Sequence, residues 1–307
     1  MTVAQLPAGT WDTHVHVFEP DRFPYAEKRS YTPGAATLDD LCERHRRWGV
    51  ASCVLVQPSV YGTDNACLLD ALSRLGPAGR GVAVIDPTKV SDEALADLEA
   101  AGVVGLRVNL VASGGPTDQS LFRRTVQRLV GSSLFLQVYA PLSTILAQRA
   151  ELETADRPVV LDHFAGAEDA DDAKASQSLS DLVRTAPIWI KLSADYRIGQ
   201  ATSRSETGAL DLVASFWQMM PDRLIWGSDW PHTGGGATRR ARPLDEIEPF
   251  RQVYSLSVPQ LLADAGLDEA ARRRVLALNP AKLLRTADAS AVPYDAAVAV
   301  PTSRSFS

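Results

Sequence analysis

Asp12-Thr13-His14-Val15-His16 is the first stretch of this chain whose residue types could do chemistry. The β-branched Thr13, Val15 and Val17 alternate with polar positions, which reads as a strand, and side chains two apart on a strand share a face. Asp12, His14 and His16 then line one side. Two imidazoles on adjacent layers can grip one metal ion or one carbonyl oxygen, or can simply hydrogen-bond nearby loops. Downstream, comparable groups stand at the ends of apolar runs: Arg107 and Asn109, Tyr139, His163, Lys191 and Ser193, then Asp229 and His232. Four of the five histidines fall at such ends, while His45 falls in a helical stretch, where a surface position is expected. A carboxylate such as Asp229 can take a proton from attacking water. Imidazole and phenol donors can stabilise a developing oxyanion, and guanidinium groups bind carboxylates bidentately.

The elements that must position these groups follow a regular beat. Apolar runs at 11–17, 50–56, 81–85, 103–108, 134–138, 159–163, 188–192 and 223–227 read as strands. Between them, helices are expected at 38–48 with Thr37 as N-cap, after Asp64 to 75, after Ser91 to 101, and at 118–130, 142–153, 179–184 and 208–220. Further helices are expected at 244–252, 258–265 and 269–277. Near-continuous apolar strands alternating with helices imply a parallel sheet. Eight such units close into an α/β (β/α)8 TIM barrel, one domain over 1–286, with its site at the C-terminal strand ends. Residues 287–307 read as a tail, wrapped or disordered. An open doubly wound sheet is the alternative, weakened because no Gly-x-Gly-x-x-Gly follows an early strand. Gly234-Gly235-Gly236, with no Gly-Lys-Ser/Thr after it, reads as a lid or turn rather than a phosphate cradle.

The 307-residue composition carries a net charge of −6, which argues against nucleic acid or an anionic membrane as partner. An anionic substrate then needs local arginines. Cys42, Cys53 and Cys67 lack CxxC spacing, so neither a disulfide framework nor a cysteine zinc module is expected. No basic leader and no apolar run of about 20 residues is present, and a cytoplasmic setting is expected.

Asp12-x-His14-x-His16, Leu161-Asp162-His163 and Trp226-Gly227-Ser228-Asp229-Trp230-Pro231-His232 together resemble the amidohydrolase superfamily, more narrowly its amidohydrolase-2 branch. Gln57 to Asn65, Gly105 to Asn109 and Lys191 to Arg197 are similar to the 2-pyrone-4,6-dicarboxylate lactonase group, which includes sulfomuconolactone hydrolases and galactarolactone isomerase-like members. The resemblance runs from Trp11 to Arg285. It implies Asp229 as general base, His14, His16 and His163 polarising an ester carbonyl, and Tyr139 donating to the carbonyl or leaving oxygen. It also implies Arg107 and Arg197 on a substrate carboxylate, with Ser59, Asn109 and His232 completing the substrate-binding set. Asp12 is expected to orient a histidine, and Lys191 to satisfy a buried carboxylate. The cofactor expectation is none, or one zinc ion on His14, His16, His163 and Asp229. A binuclear centre is not expected, because Leu136-Gln137-Val138-Tyr139 lacks the bridging Lys or Glu. Ser113 and Gly166 stand where the pyrone-dicarboxylate enzyme has arginines, so a less anionic lactone is expected. Arg239, Arg240 and Arg242 either attract an anion or face solvent. The implied function is a catabolic hydrolase opening a small, carboxylated lactone. The alternatives are a zinc-dependent decarboxylase of the aminocarboxymuconate type, a lactone isomerase, or a non-catalytic lactone or sugar-acid binder.

Overall fold

The computed structural model describes residues 6–111, 119–167, 173–198, 205–234 and 242–286. Eight parallel strands follow one another in chain order: β1 (Trp11–Val15), β2 (Ser52–Val56), β3 (Gly79–Ala83), β4 (Val103–Asn109), β5 (Phe135–Tyr139), β6 (Val159–Leu161), β7 (Ile188–Leu192) and β8 (Leu224–Trp226). β8 returns to β1. There Thr13 Oγ1 donates to the Trp226 carbonyl at 2.6 Å, and the Asp229 and His16 N–H groups donate to the His14 and Trp230 carbonyls, each at 2.9 Å. A Cβ on Gly227 would lie 2.5 Å from His14 Cβ, so only glycine lets the seam close. The result is a closed single-domain (β/α)8 barrel, not an open sheet.

Helix α1 (Leu38–Trp48) starts with a reciprocal Thr37–Asp40 capping box and ends at Gly49 in the left-handed region. Its apolar stripe at 38, 41 and 42 extends to His45, which is fully buried. This corrects the surface expectation: His45 Nε2 lies 3.2 Å from Asp12 Oδ2.

Period-two alternation layers the barrel. Val54, Val56, Val82, Phe135, Val160, Trp189 and Ile225 form one cluster, covered by Leu283 and Leu284 of the last helix, Asn279–Leu284. Two residues further along the same strands stand Gln137, Asp162 and Lys191, all buried. The polar floor of the site therefore rests on an apolar layer.

The expected helix at 244–252 is absent. Ile247–Glu248 instead pairs in parallel with Thr32–Pro33, in a stretch bracketed by Pro243 and Pro249, which a helix does not tolerate. The 142–153 helix is two pieces, Leu142–Ala147 and Arg149–Glu153. The last expected helix continues through a π turn, Arg274–Leu278, into Asn279–Leu284. No helix among the described residues is long and apolar enough to cross a membrane. The readings of Ser113, Gly235, Gly236, Arg239, Arg240 and the tail 287–307 lie outside the described residues.

Candidate functional site

β1 presents the imidazoles of His14 and His16 with their Nε2 atoms 3.3 Å apart. His163 reaches the same point by a different route. β6 stops at Leu161, and His163, Phe164, Ala165 and Gly166 take φ values of 51°, 54°, 57° and 65°. This left-handed turn leaves His163 Nε2 4.0 Å from Asp229 Oδ1 and Nδ1 2.8 Å from Ser193 Oγ. Asp229, itself at φ 59°, places Oδ1 3.5 Å from His14 Nε2 and 3.6 Å from His16 Nε2. Ala194 and His232 also have positive φ. Such backbone costs about 1–3 kcal/mol per residue and gathers where function requires it.

The other Asp229 oxygen accepts a hydrogen bond from the Tyr196 hydroxyl at 2.5 Å and lies 3.7 Å from an Arg197 nitrogen. Burial pushes the Asp229 carboxyl up, but His163, His16, His14 and Arg197 outweigh it and hold the group well below the usual range. Burial also pushes His14 well down and His163 down to about 4, against the pull of neighbouring carboxylates. At neutral pH the centre holds an ionised carboxylate facing neutral His14 and His163.

Asp162 is the hub beneath. Lys191 Nζ lies 3.1 Å from its Oδ1, while Gln137 Nε2 and an Arg107 nitrogen lie 3.0 and 3.3 Å from its Oδ2. Burial opposes its ionisation, but Lys191, His14 and Arg107 hold its carboxyl well below the usual range. Lys191 does meet a buried carboxylate, as expected.

Arg107, Ser59 and Asn109 line a cleft of ≈520 Å³ whose lining includes none of the three imidazoles and is joined to them through Arg107, which also reaches Asp162 and the Tyr139 ring. Its wall also carries Lys28 and Arg29, and no acidic side chain lines it among the described residues. Arg107 Nε and Gln57 Oε1, both buried, have no hydrogen-bond partner among the described residues. Tyr139 packs edge-on against His163, ring centroids 4.6 Å apart, and the Arg107 guanidinium lies 5.7 Å from the Tyr139 ring centre.

Arg197 turns to Tyr196, to Asp229 and to the Thr233 carbonyl at 3.2 Å. His232 packs against the Tyr196 ring, with Nε2 3.1 Å from Ser255 Oγ. Asp12 meets a histidine, but His45 rather than the His14 ring, and its Oδ1 receives the Ser228 N–H at 2.8 Å. A Cβ on Gly166 would sit 2.0 Å from the Ala140 carbonyl oxygen, so this backbone excludes any side chain there.

Sequence reasoning gave no role to Tyr196, Asp162, Gln137, Lys28 or Arg29. Tyr196 was visible inside the Lys191 to Arg197 motif, and Asp162 and Gln137 sit two residues past buried strand positions. Lys28 and Arg29 lie in a loop whose pattern carries no such signal.

The donor set has the dimensions of a metal site. Nε2 of His14, Nε2 of His16 and Oδ1 of Asp229 lie 3.3–3.6 Å from one another. The edge of a tetrahedral zinc shell with N/O ligands is about 3.4 Å.

A family model described as amidohydrolase matches residues 11–286. The chain is 32% identical over 284 residues, 91% of its own length and 90% of the other's, to a 4-sulfomuconolactone hydrolase of Rhizobium radiobacter. It is 31% identical over 243 residues, 74% and 78% of the two chains, to a 2-pyrone-4,6-dicarboxylate hydrolase of Comamonas testosteroni. A crystal structure of a probable 2-pyrone-4,6-dicarboxylic acid hydrolase from Acinetobacter baumannii, with citric acid bound, superimposes with a TM-score of 0.72 at 26% identity, covering 90% of this chain and 99% of that one.

Proposed function

This chain belongs to the amidohydrolase family, and we propose that it hydrolyses a small anionic lactone by attack of a water held on Asp229. The observation that carries this reading is the convergence of Asp229 Oδ1 with three imidazole nitrogens at 3.5, 3.6 and 4.0 Å. The relatives' activities on sulfomuconolactone and pyrone dicarboxylate support the same bond type.

The water donates a hydrogen bond to Asp229 Oδ1 and attacks the ester carbon. A carboxylate with so depressed a pKa is a weak base at rest, so its contribution is chiefly positional. The attacking water acidifies as its new C–O bond forms, and its proton then passes to Asp229. The carbonyl oxygen takes up negative charge facing His14, His163 and Tyr139, donors fixed before the reaction starts. Collapse breaks the ring C–O bond, and the departing oxygen takes the proton from Asp229. The product is a hydroxy acid, and Asp229 returns to its ionised state. Zinc, held by His14, His16, His163 and Asp229, supplies Lewis-acid polarisation of the carbonyl when bound.

The cationic cleft sets the substrate class. Asp162 carries one negative charge against Lys191 and Arg107, which leaves a surplus positive charge beside an unpartnered Arg107 Nε. Lys28 and Arg29 add two more at the wall. A lactone bearing a carboxylate or sulfonate fits this lining.

The test is a pH-indicator assay over acidic and neutral lactones, with product masses measured. Acidification, with product one water heavier and faster for the acidic members, is the expected result. Released carbon dioxide or a product of unchanged mass overturns hydrolysis, as does full recovery of every lactone by folded protein.

A further inference from the structure

Lys191 is 1% exposed, and its side chain reaches the back of the His14 ring. The ammonium donates to Gln137 Oε1 at 2.9 Å and meets His14 Nδ1 at 3.2 Å, and it pairs ionically with Asp162 Oδ1 at 3.1 Å. An ammonium only donates, so His14 Nδ1 is the acceptor in that contact. The competing partner, Asp162 Oδ1, lies 3.3 Å from the same nitrogen but has no aligned hydrogen bond. The proton of neutral His14 is therefore on Nε2, facing the reaction centre.

A second contact agrees with this assignment. His16 Nδ1 lies 2.7 Å from the Val56 carbonyl, which only accepts, so Nδ1 carries a proton and the Nε2 lone pair is the one acceptor this ring can offer. That lone pair faces His14 Nε2 at 3.3 Å. A proton on His14 Nε2 makes this contact a hydrogen bond, whereas the other tautomer sets two lone pairs against each other.

We infer that Lys191 is a positioning residue that fixes the ring proton of His14 on Nε2, making this imidazole a donor to the substrate carbonyl and an occupied ligand position toward zinc. To bind zinc through Nε2, His14 must move its proton to Nδ1 and give up the Lys191 hydrogen bond. Asp162 is the acceptor that such a shift would use. The donor role rests on the lactone-hydrolysis reading, but the proton assignment does not.

Long-range 1H–15N spectra of the full chain labelled with 15N-histidine, recorded at neutral pH with and without zinc, test this. The His14 signals are assigned by their loss in His14→Gln. In zinc-free wild-type protein, His14 is expected to show a protonated Nε2 and a bare Nδ1. In Lys191→Met the proton moves to Nδ1, and zinc retained against a competing chelator rises by about tenfold, the opposite sense to the loss that follows when a partner that readies a metal ligand is removed. Gln137→Met disturbs the same buried layer but leaves the His14 proton on Nε2. Wild-type His14 protonated on Nδ1 overturns the inference whether or not any variant folds. A folded Lys191→Met with unchanged tautomer and zinc affinity overturns it too. Correct tautomers in a protein that opens no lactone leave the proton assignment standing and reject the hydrolase reading instead.

Discussion

Replacing Arg107 with Met separates the two duties of one guanidinium. Toward the barrel it contributes one partner, at 3.3 Å, to Asp162, which keeps Lys191 at 3.1 Å and Gln137 at 3.0 Å. The carboxylate stays paired, so the stability loss is expected near 1 kcal/mol, not the roughly 3–5 kcal/mol of a buried charge stripped of its partner. Toward the cleft, the variant loses a charge-assisted hydrogen bond to a substrate anion, worth about 1.5–3 kcal/mol. At about 1.36 kcal/mol per tenfold, kcat/KM on an acidic lactone falls about 10- to 150-fold. Because the anion is held alike in ground and transition states, the loss appears mainly in KM. The assay is steady-state kinetics on an acidic lactone and on a neutral lactone with the same ring, with urea unfolding as a fold check. On the neutral lactone the change is expected to stay under about threefold. Equal losses on both substrates, or none on either, refute the anchoring role.

Four further outcomes are expected. Asp229→Asn lowers kcat by about 10²–10⁴ with KM little changed, and a normal kcat removes the proposed base. Lys28→Met, at an exposed position on the cleft wall, raises KM for acidic lactones by no more than about fivefold, an effect that disappears in high salt. An effect that survives high salt argues against a screened surface charge. His45→Phe takes the imidazole from Asp12 Oδ2 while Asp12 Oδ1 keeps the Ser228 N–H, and costs about 1.5–3 kcal/mol in urea unfolding, so an unchanged midpoint contradicts the buried pairing. Finally, His163 falls from 6.5 to about 4 in the folded chain, first through burial. Between those values the unfolded state binds more protons, so stability is full above 6.5 and declines as pH drops toward about 4. Thermal melts of wild type and His163→Gln should diverge on that side of neutrality, and parallel curves refute the shift.

Which parts of this were legible in the sequence follows from locality. Period-two alternation in β1 and the apolar runs that became β2 to β8 are local patterns, and they announced the barrel. The same alternation pointed Gln137, Asp162 and Lys191 inward, but their mutual pairing at about 3 Å depends on strands 25 to 54 residues apart meeting in register. His45 was misplaced because its helix was weighed as a surface element, although positions 38, 41, 42 and 45 already formed one face. Arg197 and His232 were credited to substrate on motif position alone. The contacts that Arg197 makes with Asp229 and His232 with Ser255 join separate loops, which motif position does not contain. The strand at 247–248 exists only because it pairs with residues 32 and 33, a contact no local window contains.

The closing seam explains why the first and last strands hold the central chemistry. Seven strand pairs are joined by ordinary parallel ladders, but β1 and β8 meet through Gly227, Ser228 and Asp229 instead of a regular ladder. The Ser228 N–H is satisfied by the Asp12 carboxylate, and the Asp229 N–H by the His14 carbonyl. The hydrogen bonds that close the barrel therefore also fix the separation of Asp229 and His14, with no extra element needed to align them. An error in closure is an error in the distance between the proposed base and the proposed oxyanion donor. Because a displacement of that kind can cost a reaction as much as removing a group, selection for barrel closure and for catalysis acts on the same few backbone atoms.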